Sequence, residues 1–574
     1  MTISYRVMFP VLLTAGLMPG CGGLGSGSTF KPMGSGAAGS SAAGARAGGS
    51  SAPGAAGDSA TGTAGDSATG AAGDSAAGAG GSSVAGAGGS SAAGAGGSST
   101  TMGINSGAGP WGTPVAGGPT ASGTMVTGTA TVNRGTSTGT VGKEFLGFSF
   151  EKTHLTNSTF TGANAPLIAL FKLIGPPVIR IGANDVELCS WVPGQAPAGG
   201  GPPYGKQIGT GMVDGLNDFL NATGARVIYG LNFSLNNVAN DVAEATYAHT
   251  KLASNLYGFE IGNELNKYGT WVSQRQQDEA LATGVVNAVP QARLIGPAAT
   301  EKGADVLSVP YAKDESAKFP NKIVLLTQHY YLGGAGSTTA TVAALQTVKS
   351  DIPSVAATMK TAAGDNNIPD GYRFGEANSF YGHGQMGVSD TLVAGLWSID
   401  LMFVIAGHGA SGINFHGGET GMDGTRPFYY QPIVENNGVV QAVQPVFHGM
   451  LLFYLAGQGH VLDTTVTTTN PNFTAYALDY QADGSTSVVL NNKNATTGVQ
   501  VTVNVGTAVT SASAIYLQGA PGSLTAPAAS VTLAGAHVSP QGTWARTAPF
   551  TQTTAGNTVS VFVPPASAAL VRVK

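Results

Sequence analysis

Eight short apolar runs, alternating with amphipathic stretches between residues 145 and 418, restrict the fold of this chain more than any other feature. They read FLGFSFE (145–151), PVIRIG (177–182), RVIYGLNF (226–233), LYGFEIGNE (256–264), RLIGPAA (293–299), IVLLTQHYY (323–331), GYRFGEAN (371–378) and GINFHGG (412–418). Near-continuous apolar strands are buried on both faces, and parallel sheets produce them because their crossover helices cover each face. Helical candidates fall between several of them, at 166–174, 213–222, 274–289 and 390–408. Eight such units predict an α/β protein with a closed (β/α)8 barrel. The alternative, an open doubly wound sheet, lacks the support of a Gly-rich phosphate loop.

The flanks read differently. Residues 1–20 place Arg6 before a short apolar core, Val7 to Met18. That pattern predicts an export signal, too short to span a bilayer. Cys21 follows directly, in LMPGC, and this resembles a bacterial lipoprotein signal, in which such a Cys becomes the lipidated N-terminus. Residues 1–21 are therefore assigned to the signal, and export is expected, as a cell-surface or periplasmic lipoprotein or else as a secreted protein. Residues 22–112 are almost entirely small. AGDSA recurs with Asp58, Asp66 and Asp74 eight apart, and AGAGGSS then recurs with the same period. A repeat of small residues has no apolar face to bury, so it predicts a flexible tether with a reach on the order of 50 Å. After residue 455, short alternating strands separated by Gly, Asn and Pro turns predict an antiparallel β-sandwich over 456–574. The barrel is bounded at 113–455, and the alternating segment at 123–135 is a candidate to join the sandwich.

The chain holds two cysteines, Cys21 and Cys189, which excludes a disulfide framework. Cys189 reads as a buried free thiol. Net charge is −5 with only 10% charged residues, so no basic surface points to nucleic acid. Membrane contact is expected only through the lipid at Cys21.

Glu264 and Glu376 end the fourth and seventh runs, 112 residues apart (376 − 264). In (β/α)8 barrels reacting groups come from the C-terminal ends of strands. Two carboxylates on that rim can flank one glycosidic bond, one protonating the leaving oxygen while the other attacks the anomeric carbon or activates water. A solvated strand-end glutamate is the competing reading for either residue alone.

The segments FEIGNELN and RFGEANSFYGHGQMGVSDTLVAGLWSIDLMF, with FLGFSFE, VIRIGAND, TQHYY and YYQPI, resemble glycoside hydrolase family 79, the family of heparanases and β-glucuronidases. The likeness runs over roughly residues 125–574. It implies a retaining mechanism with Glu264 as acid/base and Glu376 as nucleophile, on a carbohydrate substrate and with no metal or other cofactor. The charge of Glu376 would keep the proton on Glu264 until the sugar is transferred. Asn263 is the candidate for the sugar 2-hydroxyl. Members of the clan place a Tyr at the end of strand six. Tyr330 and Tyr331 both stand there, but alternation lets only one face the pocket, and Tyr331 is the choice. Glu151 and Arg180, ending strands one and two, either bind sugar and nucleophile or form salt bridges. Glucuronidases of the family hold the sugar carboxylate with the loop after the nucleophile and a later Tyr, which points to Tyr381, His383 and Tyr429 or Tyr430. His408 and His416 lack metal-ligand spacing and read as loop or core residues. A β-glucuronidase is therefore expected, the alternatives being a retaining enzyme on β-xylosides, arabinosides or β-glucosides, or a non-catalytic carbohydrate-binding lipoprotein.

Overall fold

The computed structural model describes residues 111–197, 205–300, 303–348, 350–417 and 429–574. The signal, Cys21, the tether up to residue 110 and Gly418 lie outside the described residues.

Eight parallel strands close into a barrel: β1 (Leu146–Glu151), β2 (Val178–Gly182), β3 (Arg226–Leu231), β4 (Leu256–Ile261), β5 (Leu294–Ala299), β6 (Ile323–Gly334), β7 (Tyr372–Tyr381) and β8 (Gly412–His416). They follow one another around the ring in chain order, and β8 pairs with β1 to close it. Nearly every residue of these strands is buried, which is why the sequence shows runs rather than alternation. β6 and β7 outgrow the others and stay paired as far as Tyr381 opposite Gly334, so they raise one side of the rim.

The ten C-terminal strands and one that precedes the barrel form one eleven-stranded sheet that curls over its own core. Every second residue points inward, as in Val499, Val501 and Val503 or Val559, Val561 and Val563. The expected sandwich is thus the two halves of one continuous sheet. The leading segment is central to it. Thr124–Val141 pairs antiparallel with Gly459–Thr468 and parallel with Thr497–Asn504. Val115 adds a bridge to Phe550. The segment 123–135, a candidate for the sandwich, thus lies within a strand of the sheet. Its period-two pattern suits a strand with one wet face, and no barrel strand begins before Leu146.

Leu392–Gly407 is buried along almost its whole length, because it lies between barrel and sheet. Among the described residues no helix is long and apolar enough to cross a membrane. Gly139 of the leading strand passes so close to this helix that a Cβ there would lie 1.9 Å from the Ala406 carbonyl oxygen. At the same seam Lys493 and Asp400 form a buried ion pair at 2.5 Å. Asp400 also accepts from Thr474 and from the Asn491 amide. With these partners the charges avoid the desolvation cost of an unpaired buried ion.

Candidate active site

Two irregularities in the barrel aim the two glutamates. β4 ends at Ile261 and the chain turns through Gly262, with φ +71°. A Cβ on Gly262 would meet Leu265, Phe233 and Glu187 at 2.7 to 3.0 Å, so only glycine fits. Glu264 follows in the left-handed region, φ 52° and ψ 50°, its amide donating to the Ala298 carbonyl. That conformation costs a non-glycine residue about 1–2 kcal/mol, and strain of this kind collects at functional sites. The second irregularity is a bulge in β7. Phe374 lies opposite Gln328 and Glu376 opposite His329, which leaves Gly375 as an extra residue. A bulge re-aims the side chain beside it, here Glu376.

The result is a tight cluster. A carboxylate oxygen of Glu264, one of Glu376 and a ring nitrogen of His329 lie within 4.8 Å of one another. Glu264 Oε1 lies 3.0 Å from His329 Nδ1, and Lys267 contacts its other oxygen. Glu376 accepts from Arg180 at 3.0 Å on Oε2 and from the Tyr331 hydroxyl at 2.8 Å on Oε1. Arg180 is fully buried and spends its remaining donors on Glu260 at 2.5 Å, the Asn263 carbonyl oxygen at 2.7 Å and Ser149 at 3.2 Å. Glu260 is completed by the Thr327 hydroxyl at 2.6 Å. One guanidinium thus holds a structural carboxylate, the Glu376 carboxylate and the Asn263 amide in one plane of contacts.

The electrostatics follow from this wiring. Burial opposes the charge of Arg180, but Glu260 and Glu376 outweigh it and raise its pKa. Burial favours the neutral form of Glu376, yet His416, His329, Arg180 and the Tyr331 hydroxyl hold its carboxyl well below the ordinary value. Burial also pushes His329 down to about 3, so its ring is neutral at working pH. The ionised state of Glu376 at neutral pH therefore rests on Arg180 and Tyr331, with His416 beside them, rather than on an imidazolium at position 329. Glu264, His329 and Glu376 are the one group of three potential metal ligands among the described residues. Arg180 already neutralises the Glu376 carboxylate, which works against a cation beside it.

The other sequence-predicted residues stand at different removes from the pair. Asn263, Tyr331 and Arg180 contact the glutamates or each other. Tyr430 and Tyr381 join them more loosely, each ring 6.2 Å from that of Tyr331. Tyr430 is buried and Tyr381 is 55% exposed. His383, with φ 77°, stands between two positive-φ glycines, Gly382 and Gly384, and its carbonyl accepts from the Tyr429 amide at 2.6 Å. Glu151 lies at the margin, accepting from the Asp185 amide at 2.5 Å and 3.9 Å from His416 Nε2. Tyr330 points away from the glutamates, packing on Phe374 with its hydroxyl 3.4 Å from Asp351. Cys189 is buried and free, and burial raises its thiol pKa.

Sequence reasoning missed four neighbours. His416 was read as a loop or core residue, but its ring stands at the end of β8, 3.2 Å from Ser149 and 3.9 Å from Glu376. Its place at a strand end was the available signal, and the metal-spacing test did not ask for it. His329, two residues before Tyr331, was open to the same reasoning. Glu260 and Lys267 carried no local signal.

No protein-family model matches this sequence, and no curated protein matches it. Solved structures do. A 4-O-α-L-rhamnosyl-β-D-glucuronidase from Fusarium oxysporum 12S superposes with a TM-score of 0.62 at 21% identity, over 78% of this chain and 99% of that one. A family 51 α-L-arabinofuranosidase from Bifidobacterium longum gives 0.56 at 15% identity, over 79% and 100%. A glycoside hydrolase family 44 endoglucanase from Clostridium gives 0.52 at 13% identity, over 78% and 99%. The fold is the (β/α)8 barrel with an attached β-domain that these glycosidases share.

Proposed function

We propose that this protein is a retaining, exo-acting glycoside hydrolase, with β-glucuronides as its substrates. The observation that carries the reading is the pair Glu264 and Glu376, whose nearest oxygens lie within 4.8 Å. Retaining enzymes hold their carboxyl groups about 5–5.5 Å apart, whereas inverting enzymes need a wider gap for water.

The environments divide the roles. Glu376, kept ionised by Arg180 and Tyr331, attacks the anomeric carbon as the nucleophile. Glu264 gives its proton to the leaving oxygen as the glycosidic bond breaks. Esterification removes the charge of Glu376, so Glu264 then takes a proton from water. That water attacks the anomeric carbon and releases Glu376. Asn263, its carbonyl oxygen engaged by Arg180 and one amide hydrogen donated to Asn184 at 3.3 Å, has its second amide hydrogen for the sugar 2-hydroxyl.

The glucuronide reading is supported by the Gly382–His383–Gly384 turn tied to Tyr429 beside the Tyr331, Tyr381 and Tyr430 rings. Turn amides and tyrosine hydroxyls suit a carboxylate. The second reading, a neutral pentoside or glucoside, is supported by the arabinofuranosidases among the similar structures. A panel of p-nitrophenyl glycosides between pH 4 and 7 separates the two. The glucuronide reading requires kcat/KM for β-glucuronide to exceed that for β-glucoside, β-xyloside and α-L-arabinofuranoside, and equal or reversed values remove it. Export as a lipoprotein belongs to the same proposal, and mass spectrometry of a mature N-terminus beginning at diacylglyceryl-Cys21 tests it.

A further inference from the structure

Most soluble proteins scatter their exposed apolar side chains, and contiguous ones mark binding surfaces. Here several stand on the segments that leave the C-terminal ends of the barrel strands, on the rim that carries the glutamates. Leu188 follows β2 and is 42% exposed, Leu235 follows β3 and is 42% exposed, and Tyr268 follows β4 and is 50% exposed. These three segments are consecutive around the barrel and are fastened together by one carboxylate. Glu187 accepts from the Ser234 amide at 2.7 Å and from the Asn263 amide at 2.8 Å. Each exposed residue is close in sequence to one of those anchors: Leu188 next to Glu187, Leu235 next to Ser234, and Tyr268 five positions after Asn263. Tyr268 also packs on Phe233, ring centroids 6.4 Å apart at 34°.

The patch has a direction. Tyr268 ends the short helical turn Leu265–Lys267 that Glu264 begins. A general acid must stand beside the leaving oxygen, so the departing group lies on the Glu264 side of the bond. The Tyr331, Tyr381 and Tyr430 rings stand on the Glu376 side.

We infer that Leu188, Leu235 and Tyr268 form an aglycone platform beside Glu264, and that the natural leaving group is a compact apolar or aromatic alcohol rather than another sugar. This rests on the glycosidase reading. A sugar chain would be recognised through hydroxyls as well as faces, whereas two leucines offer only apolar contact.

The test uses the full chain and three substrates sharing the glycone it hydrolyses best: the 2-phenylethyl glycoside, the ethyl glycoside and a disaccharide with glucose as leaving group. The first two release alcohols of similar acidity, so their ratio reports contact rather than leaving-group quality. The expected kcat/KM for phenylethyl exceeds that for ethyl by at least about 10-fold. Tyr268→Ala and Leu235→Ser, each checked for native circular dichroism, should bring the ratio down to within about 3-fold. Met125→Ser, an exposed apolar site on the sheet, should leave the ratio unchanged. A wild-type ratio near one, a preference for the disaccharide, or a ratio untouched by both rim variants overturns the platform while ethyl glycoside hydrolysis keeps the enzyme reading. Failure to hydrolyse any of the three overturns both.

Discussion

Tyr331→Phe removes a single hydroxyl from the site and has two linked consequences. The hydroxyl donates to Glu376 Oε1 at 2.8 Å, and both residues are buried. Hydrogen bonds to charged groups contribute about 1.5–3 kcal/mol. At 1.36 kcal/mol per pKa unit, its loss raises the Glu376 pKa by roughly 1–2 units. Arg180 remains, so Glu376 stays ionised at pH 7. The acid limb of kcat/KM, which reports the free enzyme, should therefore move up by that amount, while the alkaline limb stays in place. Stability follows by linkage. A carboxyl whose folded pKa is depressed contributes stability that is present above its unfolded pKa and is lost as pH falls through the folded pKa. The variant should be less stable than the parent at pH 7 by roughly 1.5–3 kcal/mol, and the difference should persist down through pH 4, because the folded pKa of Glu376 lies well below the ordinary carboxyl value. Urea melts at pH 7 and pH 4, with pH–rate profiles on a p-nitrophenyl glycoside, measure both effects. An unmoved acid limb, or a variant as stable as the parent at both pH values, would refute the hydrogen-bonded carboxylate.

Three further outcomes follow from the packing. Burial raises Glu435 to about 7, and His154 faces it at 3.1 Å. Because that folded pKa lies above the unfolded one, Glu435 by itself withdraws roughly 3 kcal/mol of stability as pH rises from about 4.5 to 7, against the opposite contribution of the buried neutral His154. Glu435→Gln should flatten the loss, and parallel pH–stability curves would sink the idea. Asp400→Ala strands the buried Lys493 ammonium and should cost about 3–5 kcal/mol, much of it recovered in Asp400→Ala with Lys493→Met. A single variant within about 0.5 kcal/mol of the parent by urea melt contradicts this. Finally, Trp111 donates to Ser513 at 2.6 Å and lies under the Arg572 guanidinium. A chain beginning at residue 111 should match the full chain in stability, whereas one beginning at residue 119 should lose roughly 2 kcal/mol. Equal melting of the two shortened chains would show that this anchor is idle.

The barrel was legible because burial on both faces writes each strand as an unbroken apolar run. The position of Glu264 was legible because an ionisable residue at the end of such a run needs a reason to be there, and that of Glu376 because it interrupts one, although β7 runs on five residues beyond it to Tyr381. Their aim was not. It depends on a left-handed residue after Gly262 and on the extra residue at Gly375, and neither conformation is marked by a pattern. Arg180 was open between salt bridge and nucleophile contact, and it makes both. Its partner Glu260 lies in the middle of an apolar strand 80 residues away, and no local rule joins the two. The curl of the sheet was hidden for the same reason. Thr124–Val141 finds its neighbours more than 300 residues later, and alternation reveals a wet face without naming the strand beside it.

The central claim is that Glu264 and Glu376 act by double displacement. Proton NMR during hydrolysis of the best substrate reads the anomer of the sugar as it first appears, before mutarotation. The account predicts the same anomeric configuration as the substrate, β from a β-glycoside. First release of the opposite anomer would mean direct attack by water, and would contradict the assignment of Glu376 as nucleophile.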